Sequence, residues 1–218
     1  MQGIKNLTYR DLQARLHALG FNPGAVDGIN GPKTTAALHK ACRHHSTRYV
    51  KDLFHKSGLH RIHLHWTAGA YGDISLERSS YHILILEDGK IVMGDLKPEA
   101  NADTRDGQYA AHTRAANSGS IGVSLDAMGG AMERPFTPGR YPITSKQLDS
   151  LADVVADLSD TYWIPVSRYS ILTHAEVEPT LGIKQRNKWD ITWIPGMSRP
   201  GDPIAVGDKI RAMVERRL

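Results

Sequence analysis

The chain has 218 residues, with 27 lysines and arginines, 23 aspartates and glutamates, 11 histidines and a single cysteine, Cys42. One cysteine excludes an intrachain disulfide and a cysteine-built structural zinc site. A hydrophobic content of 40% excludes long disorder. No apolar run approaches the roughly 20 residues that cross a bilayer, so stable membrane insertion is not expected. Charge is divided unevenly: residues 1–58 carry 9 basic against 3 acidic side chains, residues 59–218 carry 18 against 20. A basic segment joined to a near-neutral one points to an anionic partner for the first segment, of which nucleic acid and the bacterial envelope are two. No nucleic-acid-binding motif accompanies the charge, so nucleic acid is not the expected partner. The stretch Met1–Leu7 lacks the apolar core of a signal peptide. The protein is therefore expected to be made in the cytoplasm and, if it works outside, to be released by another route.

The first segment reads as helix, loop, helix. Thr8 and Asp11 have capping-box spacing, Leu12, Leu16 and Leu19 share a helical face, and Gly20 supplies a stop. The stretch Phe21–Gly31 is dense in turn residues, and Pro32 suits the first turn of a second helix through Thr35, Leu38 and Cys42. Leu12-Gln13, Leu16, Leu19-Gly20-Phe21, Pro23-Gly24, Val26-Asp27-Gly28, Gly31-Pro32-Lys33-Thr34 and Ala37 together resemble the helical peptidoglycan-binding domain of cell-wall hydrolases. The expected division is a helical module over residues 1–43, a linker over 44–58 and a second domain over 59–218.

The second domain mixes strands and helices. Ile62, Leu64 and Trp66 alternate with His63, His65 and Thr67, a period-two strand. Tyr81–Leu86, Asp88-Gly89 and Ile91–Met93 read as a β-hairpin, and Ile121–Leu125 as another short strand. Thr144 and Gln147 open a helix with Leu148, Leu151, Val155, Leu158 and Tyr162 on one stripe, and Asp202-Pro203 opens a last helix bearing Ile210, Met213 and Val214. The expected fold class is α/β: a mixed central β-sheet flanked by helices, preceded by a small all-helical module.

His63 and His65 stand two apart on a strand and share a face, which can present two imidazoles to one metal or one ligand and one neighbour. Without thiols, a zinc site here must be built from histidine and carboxylate, and a catalytic one needs three protein ligands and an open position. Leu64-His65-Trp66-Thr67-Ala68, Tyr81-His82-Ile83-Leu84-Ile85, Ala111-His112, Asn117–Val123, Thr173-His174-Ala175-Glu176-Val177 and Lys188-Trp189-Asp190 occur in the order found in the zinc-dependent N-acetylmuramoyl-L-alanine amidases of type 2, whose fold phage lysins and peptidoglycan recognition proteins share. The chain resembles that family over about residues 59–195.

The resemblance implies one zinc ion held by His65, His174 and Asp190. It implies catalytic roles for Tyr81, near the scissile carbonyl, and Lys188, beside the oxyanion, with His112 and Asn117 as substrate contacts. It implies hydrolysis of the amide between N-acetylmuramic acid and the L-alanine of the stem peptide, by a monomeric, bacteriolytic enzyme of the phage or prophage endolysin kind that acts on the wall after holin-type release. Glu176 and Glu178 remain alternatives to Asp190 as third ligand, with His63 next in line. The 16 positions between His174 and Asp190 leave Glu178–Asn187 available to line a substrate groove. A non-catalytic recognition module and a cytoplasmic amidase recycling soluble muropeptides are the competing readings.

Overall fold

The computed structural model describes residues 7–218. The stretch Met1–Asn6, where most of the signal-peptide reading falls, lies outside them. The described chain runs α1 (Tyr9–Ala18), α2 (Pro32–His44), β1 (Arg61–Trp66), β2 (Ile83–Ile85), β3 (Ile91–Met93), β4 (Ser120–Leu125), α3 (Ser145–Tyr162), β5 (Ile171–Thr173), α4 (His174–Leu181) and α5 (Pro203–Glu215), with short 3-10 turns between. The five strands form one sheet in the order β3-β2-β4-β1-β5. β2, β4, β1 and β5 run parallel, and β3 closes one edge as the antiparallel arm of the hairpin. The expected fold class is the one observed: a mixed sheet flanked by helices behind a small helical module.

The period-two pattern of β1 sorts its side chains between two environments. Ile62, Leu64 and Trp66 join Ile121, Val123 and Leu125 of β4 in the main core, where Leu148, Leu151 and Val155 of α3 and Ile210 and Val214 of α5 cover them. His63 and His65 face the other way, yet all six residues of β1 are buried. Burial on both faces is what a central parallel strand requires, and it forces the polar face to find internal partners. Both expected capping boxes form, Thr8 with Asp11 and Thr144 with Gln147, and Asp202 caps α5 through Ala205 N. The hairpin turn is closed by Gly89 N to Leu86 O at 2.8 Å. The strand after Tyr81 is shorter than its apolar run suggests: Tyr81 N bonds to Glu77 O at 3.0 Å, so Tyr81 ends a turn before β2 begins.

The helical module is docked against the second unit through buried polar contacts. Its core of Leu12, Leu16, Ala37 and Ala41 takes in Leu53 and Phe54 from the segment that follows α2. Ala14 packs with Leu172, Val177 and Leu181 of β5 and α4. Arg15 donates to Leu53 O at 2.6 Å and to Trp163 O at 3.0 Å. His17 stacks on Tyr169 with ring centroids 4.2 Å apart. Asp11, whose Oδ2 serves the capping box, pairs through Oδ1 with Arg61 at 2.7 Å and faces His60 Nε2 at 3.5 Å. A module this small hides little apolar surface by itself, so these contacts hold its position.

Burial would raise the Asp11 carboxyl, but Arg61 and His60 outweigh it and hold the group well below the ordinary carboxylate range. A depressed carboxylate stabilises the fold above its unfolded pKa of about 3.9 and loses that contribution as pH falls through the folded value. Asp11→Asn should therefore cost on the order of 3 kcal/mol near neutrality, where Arg61 is left buried and unpaired. The gap between parent and variant in denaturant unfolding should shrink progressively below about pH 4. A gap that stays constant from pH 7 to pH 2 would show that the pair does not hold the module.

Candidate metal centre and active site

Strand register sets the site. Leu64 of β1 lies opposite Thr173 of β5, so the residues that follow them, His65 and His174, emerge side by side at the carboxyl ends of two parallel strands. Ligand sites in open α/β sheets form at such ends. β5 stops at Thr173 and α4 starts at His174, and the two imidazoles stand with centroids 4.6 Å apart. The amides of a helix's first turn have no partner within the helix. Here Ala175 N donates to Asp190 O at 2.7 Å, which returns Asp190 to the start of α4 across the intervening loop. Trp189 packs edge-on against Trp66 of β1 at 4.7 Å, pinning the same loop to the sheet.

His65 Nδ1 and His174 Nδ1 each lie 3.2 Å from Asp190 Oδ2. All three residues are buried, and their ligand atoms fall within 4.8 Å of one another. Burial would raise the Asp190 carboxyl, but the adjoining His174 and His65 rings outweigh it and hold it well below the ordinary range. Burial also pushes His65 down to about 4, against the opposing pull of Asp190, so this ring is neutral at physiological pH.

A second polar layer decides where the protons sit. Asn101 Oδ1 accepts from Ala110 N at 2.8 Å, so its amide nitrogen is the group that meets His112 Nε2 at 3.3 Å. Neutral His112 then carries its proton on Nδ1 and donates to Thr113 Oγ1 at 2.9 Å. The same hydroxyl lies 3.3 Å from His65 Nε2 and 3.1 Å from His63 Nδ1. It can accept from His112 and His65 and donate to His63, which satisfies all three contacts. His174 Nε2 faces Gln185 Oε1 at 3.0 Å. Gln185 Oε1 holds a proton on His174 Nε2, and with Thr113 accepting from His65 both rings turn Nδ1 to one carboxylate oxygen. Three converging electron-pair donors in that arrangement fit a cation, and 3.2 Å is close to the edge of about 3.3 Å of a tetrahedron built on zinc–ligand bonds of about 2.0 Å. Each ring's outward N–H is occupied, the usual second support of a metal-binding histidine.

The other residues singled out from sequence fall in distinct places. Tyr81 stands beside His65 with ring centroids 5.1 Å apart. Burial, and then the Asp190 charge, raise its hydroxyl above the ordinary range, so it stays protonated and able to donate. Lys188 is exposed two residues before Asp190, and its charge is felt at His65. His112 lies behind His65 with both ring nitrogens engaged, which leaves it no ring nitrogen for a substrate. Gly122 makes room for it, since a Cβ there would meet the His112 ring at 2.6 Å. Asn117 Oδ1 closes its own loop by accepting from Thr113 N at 2.7 Å.

Glu176 and Glu178 do not reach the cluster. The stretch after His174 is helical rather than extended, so Glu176 turns back to accept from Thr173 N at 2.9 Å and pairs with Arg211 of α5 at 2.7 Å. Glu178 accepts from Gln185 N at 2.9 Å. His63 is fully buried and turns its Nδ1 to Thr113. Sequence reasoning missed Thr113 and Asn101, for which the threonine's place directly after His112 was the only hint, and reached Gln185 only as one residue of the Glu178–Asn187 stretch.

The sequence model of the N-acetylmuramoyl-L-alanine amidase family matches residues 33–197. The chain belongs to that family. A second model, described as a putative peptidoglycan binding domain, matches residues 7–45. No curated protein matches the sequence. Among solved structures, the N-acetylmuramoyl-L-alanine amidase LysC from Clostridium intestinale URNW is 18% identical, with 72% of this chain and 85% of that chain covered and a TM-score of 0.44. The amidase AmiD from E. coli, in complex with anhydro-N-acetylmuramic acid-L-Ala-D-gamma-Glu-L-Lys, is 18% identical over 54% of this chain and 48% of that chain, with a TM-score of 0.40. Drosophila peptidoglycan recognition protein SD is 21% identical over 65% and 84%, with a TM-score of 0.39.

The Glu176–Arg211 pair ties the first turn of α4, and with it His174, to α5. Burial raises the Glu176 carboxyl against the pull of Arg211, so the pair adds little net stability, whereas removing one partner is costly. Glu176→Ala should lower the unfolding free energy by about 3 kcal/mol. An unfolding midpoint equal to the parent's would show that the first turn is held by other contacts.

Proposed function

We propose that this amidase is a zinc-dependent peptidoglycan hydrolase that cleaves the amide between N-acetylmuramic acid and the L-alanine of the stem peptide. The observation that carries the reading is the convergence of His65 Nδ1, His174 Nδ1 and Asp190 Oδ2 in a chain of the amidase family. These three residues would hold the metal. When bound, zinc acts as a Lewis acid and lowers the pKa of water from 15.7 towards about 7. The Tyr81 hydroxyl, kept protonated by burial, donates a hydrogen bond to the scissile carbonyl. Lys188 brings positive charge to the same oxygen as it gains electron density, the kind of preorganised stabilisation that contributes most to acyl-transfer catalysis. The C–N bond breaks with addition of water, leaving a carboxylate on the lactyl group and an amine on L-alanine. His112, Thr113 and Asn117 form the wall behind the reacting groups and keep His65 oriented.

The helical module over residues 1–43 is proposed to bind the polymer and raise the local concentration of the catalytic domain, residues 59–218, on the wall. The joint over 44–58 lends Leu53 and Phe54 to the module's core. A wall-binding module fixed to a wall-cleaving domain suits a lytic role of the endolysin type, with peptidoglycan as the partner. A non-catalytic recognition protein would be marked by loss of a metal ligand, and all three positions hold competent donors.

Digestion of purified wall with zinc-loaded protein should create new L-alanine amino termini and no new reducing sugars. His65→Ala, His174→Ala and Asp190→Ala should each lose zinc and cleavage together. Tyr81→Phe and Lys188→Ala should retain zinc while turnover falls by about 100–1,000-fold. New reducing ends, or full activity in verified metal-free protein, would contradict the reading.

A further inference from the structure

The loop between α4 and Asp190 brings one buried amide to the metal cluster. Gln185 is 3% exposed. Its Nε2 donates to Arg114 O at 2.8 Å and to Ile183 O at 3.2 Å. Those two carbonyls decide which way the amide faces, and leave Oε1 as the atom that meets His174 Nε2 at 3.0 Å. A carbonyl oxygen only accepts. A proton of His174 is therefore held on Nε2, which leaves Nδ1, facing Asp190 Oδ2 at 3.2 Å, as the nitrogen open to a cation.

The loop carrying Gln185 is held in turn from the first module. It leaves α4 at Gly182, whose φ is +67° and where a Cβ would lie 2.9 Å from Arg10 Nη1. Arg10, on α1, donates from Nη1 to Leu181 O, the last carbonyl of α4, and to Val26 O at 2.6 Å; its Nη2 reaches Asp27 O at 3.0 Å. One guanidinium thus joins the Val26–Asp27 loop of the helical module to the carboxyl end of α4, where unpaired carbonyls favour a cation. Beyond Gly182, Gln185 N is tied back to Glu178 Oε2.

We propose that Gln185 is a positioning residue for the metal centre, fixing the tautomer and orientation of His174, and that Arg10 of the helical module clamps the loop that presents it. The proposal rests on the reading of His174 as a ligand. The first module then has two roles, since besides meeting the wall it supports the geometry of the cation site from the far side of α4. The long stretch between His174 and Asp190 also gains a role, because it turns back on the ligand itself.

The test compares zinc affinities of the full chain, measured by competition with a chromogenic chelator. Gln185→Met and Gln185→Leu remove both the amide donors and the acceptor; Gln185→Glu removes the same donors and keeps the acceptor. A role confined to anchoring the loop lowers affinity equally in all three. The positioning role lowers it by about 10–100-fold in the Met and Leu variants and leaves the Glu variant close to the parent. Arg10→Met should lose affinity in the same direction, by less than Gln185→Met. Equal losses in the Met and Glu variants, or parent affinity in Gln185→Met, overturn the positioning role; parent affinity in Arg10→Met overturns the clamp. His174→Ala separates the two levels: if it binds zinc like the parent, the ligand assignment fails, whereas loss of zinc there with parent affinity in Gln185→Met refutes this inference alone.

Discussion

Two imidazole nitrogens facing one buried carboxylate oxygen at 3.2 Å is the arrangement around which the rest of this protein is organised. Unprotonated, the three donors repel one another, and burial removes the water that would screen them. A cation relieves that conflict, and the surrounding chain is built to maintain it. Register between β1 and β5 places the two histidines. The Ala175 amide in the first turn of α4 recovers Asp190 through its backbone, and the Trp66–Trp189 contact holds the returning loop on the sheet. Moving β5 by one residue against β1 would send His174 to the opposite face and dissolve the site, because side-chain direction alternates along a strand.

The polar face of β1 is costly to bury, and its cost is met by a network instead of by solvent. Thr113 serves three histidines with one hydroxyl, and Asn101 links His112 to His82, whose Nδ1 accepts from Gly122 N at 2.9 Å. Burial pushes His63 and His112 well below the ordinary histidine range, and His82 down to about 4. The layer is therefore a set of fixed, neutral donors and acceptors. Such a layer holds each ring of the cluster in one orientation, as outer hydrogen-bond partners do at metal sites.

Much of this was legible in the sequence, for physical reasons that differ by element. Period-two alternation at Ile62–Thr67 showed which face of β1 carries the histidines, and the capping pairs Thr8/Asp11 and Thr144/Gln147 marked two helix starts, because both signals are local. Tyr81 as a strand residue and Glu176 as a possible ligand were not settled locally: the Glu77 carbonyl turns the chain at Tyr81, and α4 begins at His174 instead of continuing the strand. Gln185, Asn101 and Thr113 were invisible because their roles come from contacts between distant segments. Asn101 reaches His82 and His112, and Gln185 reaches Arg114, none of them near in sequence. The docking of the helical module was equally hidden, since Asp11 reads as a helix cap and only the fold reveals that its second oxygen meets Arg61.

What occupies the space among the three donors decides whether this is a zinc enzyme. Crystals of the full chain grown with zinc, measured on both sides of the zinc absorption edge, address it directly. The predicted result is a single strong anomalous peak at about 2.0–2.2 Å from His65 Nδ1, His174 Nδ1 and Asp190 Oδ2. A structure in which those groups are bonded directly to one another, with the anomalous signal absent there or centred on other residues such as His63, would contradict it.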